Sequence, residues 1–305
     1  MEAIRRGLSY RRALIVTTFL WAVYAVLTLL APVSGNSYKL TSLQLFSVQL
    51  TVIIPILLIW LTAVYGAAKF KEYAVLISKS TDGQALDQLT DGLLILVFSL
   101  IVQGVLGVIP KYFVGKPLLL FFVFLHNHVP MIIALIAIIL IYQGSTKLAR
   151  LANAAVSRTQ IKTLVAPLLV IILIFAGYLF GHINHSVVNG VPNFASPGKW
   201  PFFTLVVPYL FIWTLGLLSI LNVANYIKHV KGVIYRQALS FLAAGILAVL
   251  AFTMILQLLT LSAAAFSKLA LGPVLLIVYL ILILYALGFV LIAMGARKLT
   301  RIEAV

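Results

Sequence analysis

Residues 51–60 read Thr-Val-Ile-Ile-Pro-Ile-Leu-Leu-Ile-Trp, and residues 204–213 read Thr-Leu-Val-Val-Pro-Tyr-Leu-Phe-Ile-Trp. Thr51, Pro55, Leu57, Ile59 and Trp60 meet Thr204, Pro208, Leu210, Ile212 and Trp213 at a shift of 153 positions. The same shift carries Tyr73 onto Tyr226, Gln84-Ala85-Leu86 onto Gln237-Ala238-Leu239, and Leu89 and Gly92 onto Leu242 and Gly245. Further on, at a shift of 151, Gly144, Lys147, Leu148 and Arg150 meet Gly295, Lys298, Leu299 and Arg301. Self-similarity at a fixed period sets architecture before any local pattern does. The reading is one module duplicated and fused, residues 1–152 and 153–305.

Apolar residues make up 63% of the chain and charged residues 9%, far from the half-apolar, quarter-charged balance of a soluble domain. Long apolar runs recur, each able to cross about 30 Å of hydrocarbon at about 1.5 Å per residue. Spans are expected near 13–33, 43–68, 92–110, 117–143, 163–183, 201–227, 237–262 and 271–295. The expected fold class is therefore an all-α integral membrane protein of eight transmembrane helices, arranged as two tandem four-helix repeats. An even number of spans returns the chain to its starting side. The copies then insert in parallel, related by an axis along the membrane normal; an inverted pair would need an odd number.

The net charge of +16 raises the question of nucleic acid, and the distribution answers it. Seventeen of the 22 basic residues fall at the N-terminus, in the connections after even-numbered spans, and in the tail. The other side has only Lys39, Lys111, Lys116, Lys199 and Lys268. This is the positive-inside pattern, which places both termini in the cytoplasm and the protein in the plasma (inner) membrane. Its partner by charge is the lipid bilayer with its anionic headgroups, and no nucleic acid. The six acidic residues, Glu2, Glu72, Asp82, Asp87, Asp91 and Glu303, all fall on the basic side.

The first apolar segment has an arginine-rich flank like a signal peptide. Its run of about 19 residues exceeds the usual h-region, so it is expected to be a retained span. There are no cysteines, which removes disulfides, thiolate metal sites and cysteine nucleophiles.

Candidate chemistry is sparse. No charged residue is expected near mid-membrane, which leaves no buried acid–base pair and argues against an enzyme. Gln103 and Gln257 are the most polar side chains well inside spans, where interhelical hydrogen bonds account for such residues. Pro55 and Pro208 are matched mid-span prolines. Each removes a backbone hydrogen bond, so they are either packing kinks or hinges. Asp87 and Asp91 are expected in the first turn of the third span, where the helix dipole favours carboxylates. A docking surface for a soluble partner such as an ATPase is the alternative.

Four histidines stand out: His126, His128, His182 and His185. Counted from Gln143, His128 lies about 22 Å along its span, just beneath the outer edge of the hydrocarbon. His182 and His185 are three apart and can share one face of a helix. His126 and His128 are two apart, about 200° around a regular helix. Interfacial histidine bonded to water and backbone is one account; a haem or transition-metal site is the other.

Three functional readings follow. The first is a small-solute transporter or permease with its site between the repeats. The second is a metal- or haem-binding membrane subunit using the outer histidines. The third is a non-transporting scaffold or assembly subunit, consistent with the near absence of buried charge.

Overall fold

A computed structural model describes residues 2–31, 42–114, 116–167, 169–170, 207–261 and 271–300. The described residues form helices joined by short turns, without a strand. Helix α1 is Glu2–Leu30, α2 Ser42–Leu76, α3 Thr81–Val108 and α4 Leu119–Leu151. Helix α5 is Val207–Ile227, α6 Val233–Leu261 and α7 Leu271–Thr300. A 3-10 turn, Ile109–Phe113, follows α3. After α4 come a short helical turn, Arg158–Gln160, and a π-helical turn, Ile161–Val165.

Among the described residues, seven helices are long and apolar enough to cross a membrane, so the chain is an all-helical protein suited to the bilayer. Most of the expected span over 163–183 lies outside the described residues. Large apolar side chains such as Phe19, Leu58, Phe121, Leu276 and Ile283 stand more than half exposed on the outer surface of the bundle. A soluble protein does not tolerate such a surface, whereas acyl chains solvate it.

Two helix boundaries differ from expectation. The segment 69–91, between the expected spans 43–68 and 92–110, is helical except for the tight turn over residues 77–80. The reason lies in its own polar residues. Ser80 caps α3, accepting a hydrogen bond from the Gly83 N–H at 3.0 Å, and Lys69 pairs with Glu72 at 2.6 Å on the last turns of α2. Asp82 is the acidic residue in the first turn of α3. Asp87 and Asp91 lie deeper in the helix, and the Lys71 ammonium sits between them, 2.7 Å from each. Ion pairing, rather than the helix dipole, explains their position.

Because the helices are apolar all round, a hydrophobic stripe cannot choose which face is buried; small residues and a few polar contacts do so instead. Helix α3 packs along α4, and α6 along α7. A Cβ on Gly92 would lie 2.6 Å from the Ala137 carbonyl oxygen and 2.7 Å from Ile141. A Cβ on Gly245 would lie 2.6 Å from the Gly288 carbonyl oxygen and 2.5 Å from Ile292. Likewise Gly144 abuts the Ala85 carbonyl, and Gly295 the Ala238 carbonyl, both at 2.7 Å. Helix α2 packs on α7, and α4 on α5, so each half of the chain grips the other.

Polar contacts fix the remaining helices. The Trp21 indole N–H donates to the Ile53 carbonyl at 3.0 Å, and the Gln49 amide to the Thr28 carbonyl at 3.1 Å, holding α1 against α2. The Tyr112 hydroxyl donates to the Leu27 carbonyl. Buried Asn222 on α5 donates to the Thr146 hydroxyl at 3.0 Å and accepts from the Val156 N–H at 3.1 Å. The Lys147 ammonium reaches Gln88 at 2.6 Å, and Lys298 reaches Gln237 at 2.7 Å. These lysines mark one end of the bundle, the basic face. The 3-10 turn and the start of α4 mark the opposite face.

Candidate functional site

The site begins with two glycines on α3. Gly104 has no Cβ where the Trp60 ring lies, since one would stand 2.6 Å from its Cζ2. One turn further, a Cβ on Gly107 would stand 3.0 Å from the His126 imidazole. The pair makes a smooth strip on which an indole from α2 and an imidazole from α4 rest. Tyr24 of α1 packs against Trp60, ring centroids 5.5 Å apart. Buried Tyr285 of α7 lines the same floor as Trp60. Tyr285 stacks on Phe252 of α6 at 4.0 Å and 12°.

Above this aromatic floor is a cleft of about 320 Å³, lined on the side of the opposite face by Gln103, Lys111, His126 and Asn127. Its volume falls in the range of small-molecule sites. Helices α1 to α4 supply one wall and α6 and α7 the other, so it lies between the two halves of the chain. The His126 Nδ1 is buried without a hydrogen-bond partner among the described residues.

A second, much smaller cavity lies beside it. Ser99, Gln103, Ala134, Tyr209 and Thr253 line about 20 Å³, room for one water at most. Ile56, Leu100, Phe252 and Tyr285 of the large cleft stand 153 or 151 positions from Tyr209, Thr253, Ser99 and Ala134 of the small one. The floor aromatics Phe252 and Tyr285 of the open cleft thus have Ser99 and Ala134 as counterparts. In the closed one, Tyr209 and the Leu250 side chain, packed over Gly216, take up the space.

Between the large cleft and the basic face the described residues are closely packed. Ala63, Ala67, Phe70, Leu89, Leu93, Leu242, Ile246, Phe289 and Ile292 are all at most 2% exposed. A third cavity, of about 500 Å³, opens on the basic face and is lined by Asp82, Asn153, Tyr226, His229, Lys231 and Tyr235. There the Tyr226 hydroxyl donates to the Asp82 carboxylate at 3.0 Å, and the Tyr73 and Tyr235 rings lie 6.1 Å apart. Tyr73 stands 153 positions before Tyr226, and Asp82 the same distance before Tyr235. The two contacts thus join the halves by the same pair of positions, used crosswise. Tyr226→Phe removes a hydrogen bond to a charged acceptor and is expected to cost about 1.5 kcal/mol, read as a lowered thermal-unfolding midpoint in detergent.

Of the sequence-selected residues, the cleft contains Gln103 and His126. His128 turns away: its Nδ1–H donates to the Phe124 carbonyl at 3.0 Å and its ring stacks on Phe124 at 4.0 Å. The two imidazoles thus belong to different faces of α4, as their spacing of two requires. His182 and His185 lie outside the described residues, as does the side chain of Gln257. Among the described residues no three His, Cys, Asp or Glu side chains converge as metal ligands. Pro55 lies inside α2 beside the cleft residue Ile56. Pro208 is the second described residue of α5.

Lys111, Asn127, Tyr24, Phe252, Tyr285 and the two glycines were not selected from sequence. Gln103-Gly-Val-Leu-Gly107 was the available signal. Two glycines one turn apart mark a helix face built for close approach. Comparison with known protein families, with characterised proteins and with solved structures finds no match to this chain.

Proposed function

We propose that the chain is an integral membrane transporter or permease for a small solute, built from two parallel four-span repeats, with its site in the cleft between them. The observation that carries this reading is the cleft itself. It has polar groups toward one face, an aromatic floor, and a packed seal toward the other face. A site open to one side and closed to the other is the resting geometry alternating access requires. The duplication is supported by the glycine contacts, where Gly92 and Gly245, and Gly144 and Gly295, meet partners at matching positions. Eight spans follow if the segment around 163–183 crosses the bilayer. The basic face is then cytoplasmic and holds both termini, in the plasma membrane. Among the described residues the lining includes no carboxylate, so coupling to protons through a protein acid has no support, and passive or partner-driven movement fits better.

The chain has no cysteine of its own, so single cysteines can report access directly. A cysteine at Gln103 is expected to react with a membrane-impermeant methanethiosulfonate added from the opposite face, and one at Ala67 to be protected. In proteoliposomes, glycerol, urea and benzenesulfonate should be compared. At least one is expected to enter five-fold or more faster than into protein-free vesicles, with Leu282→Trp, which fills the cleft, restoring the background. No flux for any of the three, with the Gln103 position unreactive, would refute the reading.

A further inference from the structure

We infer that the large cleft is selective for organic anions with an apolar body, an inference that rests on its being the solute site. The chemistry of its lining is one-sided. Lys111 is the charged group among the residues that line it, and it is exposed there, without a carboxylate partner among the described residues. The acidic side chains that are described, Glu72, Asp82, Asp87 and Asp91, all lie at the basic face, where Lys69, Tyr226 and Lys71 already engage them. The opposite face also carries Lys116, whose ammonium sits 5.5 Å from the Phe113 ring centre. The segments assigned to that side from sequence add Lys39, Lys199 and Lys268 and no acid.

A cleft mouth with one sign of charge and low-dielectric walls concentrates counter-ions of the other sign. An entering anion meets Lys111, and the Gln103 and Asn127 amides of the same lining are further hydrogen-bond donors. A cation meets the same lysine and no acceptor of full charge. Deeper in, Trp60, Tyr285 and Phe252 line the cleft with aromatic carbon, which favours an apolar group over a hydrated inorganic ion. A simple halide or phosphate would leave that floor bare, and a neutral aromatic would leave Lys111 unpaired. An amphipathic organic anion satisfies both ends.

The test uses three probes of one shape on the detergent-purified full chain: naphthalene-1-sulfonate, the neutral 1-naphthalenesulfonamide, and the cationic 1-naphthylmethylamine. Binding is read by isothermal titration calorimetry with micelle blanks. The sulfonate is expected to bind at least ten-fold tighter than the sulfonamide and the amine weakest. Lys111→Gln is expected to erase the preference, Lys111→Arg to keep it, and Lys116→Gln to leave it within two-fold. Leu282→Trp is expected to weaken sulfonate and sulfonamide alike. Equal affinities for the three probes that Leu282→Trp still abolishes would overturn the anion assignment and leave the cleft as the solute site. Binding that Leu282→Trp does not touch would overturn both. Loss of sulfonate binding on adding phosphatidylglycerol to the micelles would assign the lysine to a lipid headgroup and overturn the soluble-anion reading.

Discussion

Gly92→Leu is expected to destabilise the protein by about 3 kcal/mol or more, and Gly245→Leu by a similar amount. In each case the added side chain meets a backbone carbonyl and a backbone nitrogen of the neighbouring helix. For Gly92 these are Ala137 O at 2.6 Å and Ile141 N at 2.8 Å; for Gly245 they are Gly288 O at 2.6 Å and Ile292 N at 3.1 Å. A flexible neighbour can rotate out of the way, but a backbone cannot, so α3 must separate from α4, or α6 from α7. Separation is costly in lipid, where helices associate through close packing and not through exclusion of water. Gly232→Ala is the control, because a Cβ there meets only the Tyr235 Cβ at 3.7 Å. The measurement is thermal or SDS-induced unfolding in detergent, followed by circular dichroism. A Gly92→Leu midpoint matching that of Gly232→Ala would show that the α3–α4 contact is looser than described. Loss at Gly92 alone would show that the two contacts do not carry equal weight.

That symmetry also explains what could be seen in the sequence. Helical class and membrane character follow from composition and run length, which need no tertiary information. Gly92, Gly144 and their counterparts are legible because close packing admits almost nothing but glycine, so duplicated contacts leave duplicated letters. The cleft is illegible for the opposite reason. It exists where the two halves differ: Phe252 and Tyr285 against Ser99 and Ala134, and Gly104 against Gln257. A search for matched residues passes over such positions. The histidines attracted attention by residue type. Yet His126 matters through its place on Gly107, and His128 is occupied with its own helix. Lys111 was legible only as one of the five basic residues of the sparser side, because its lack of a carboxylate partner among the described residues depends on where every acid lies, which no local window contains. The helical extension of α2 was missed because charged residues at the membrane edge look like a connection. Lys71 between Asp87 and Asp91 is a contact between two helices, invisible to a reading that ends each helix where its apolar run ends.

Phe70→Ala is expected to cost about 3–5 kcal/mol and to loosen the closed half of the bundle. Phe70 is fully buried on α2, and its Cζ lies 3.0 Å from where a Cβ on Gly295 of α7 would stand. The ring therefore fills the groove that the glycine leaves, across the seam between the two halves. Truncation leaves a cavity that neither lipid nor water reaches, and the ring's dispersion contacts vanish without replacement. Phe70→Leu keeps most of the volume and is expected to cost much less. The functional consequence separates two ideas of how the cleft is sealed. If the α2–α7 seam is the seal, Phe70→Ala should raise benzenesulfonate leak through proteoliposomes and expose a cysteine placed at Ala67 to reagents from the basic face. Both effects should be small in Phe70→Leu. Stability lost without either change would move the seal elsewhere, to the contacts of Tyr226 with Asp82 and of Tyr73 with Tyr235. Tyr226→Phe would then be the substitution that opens the basic face. The two variants, run in parallel, decide which layer of the bundle closes the cleft from the basic face.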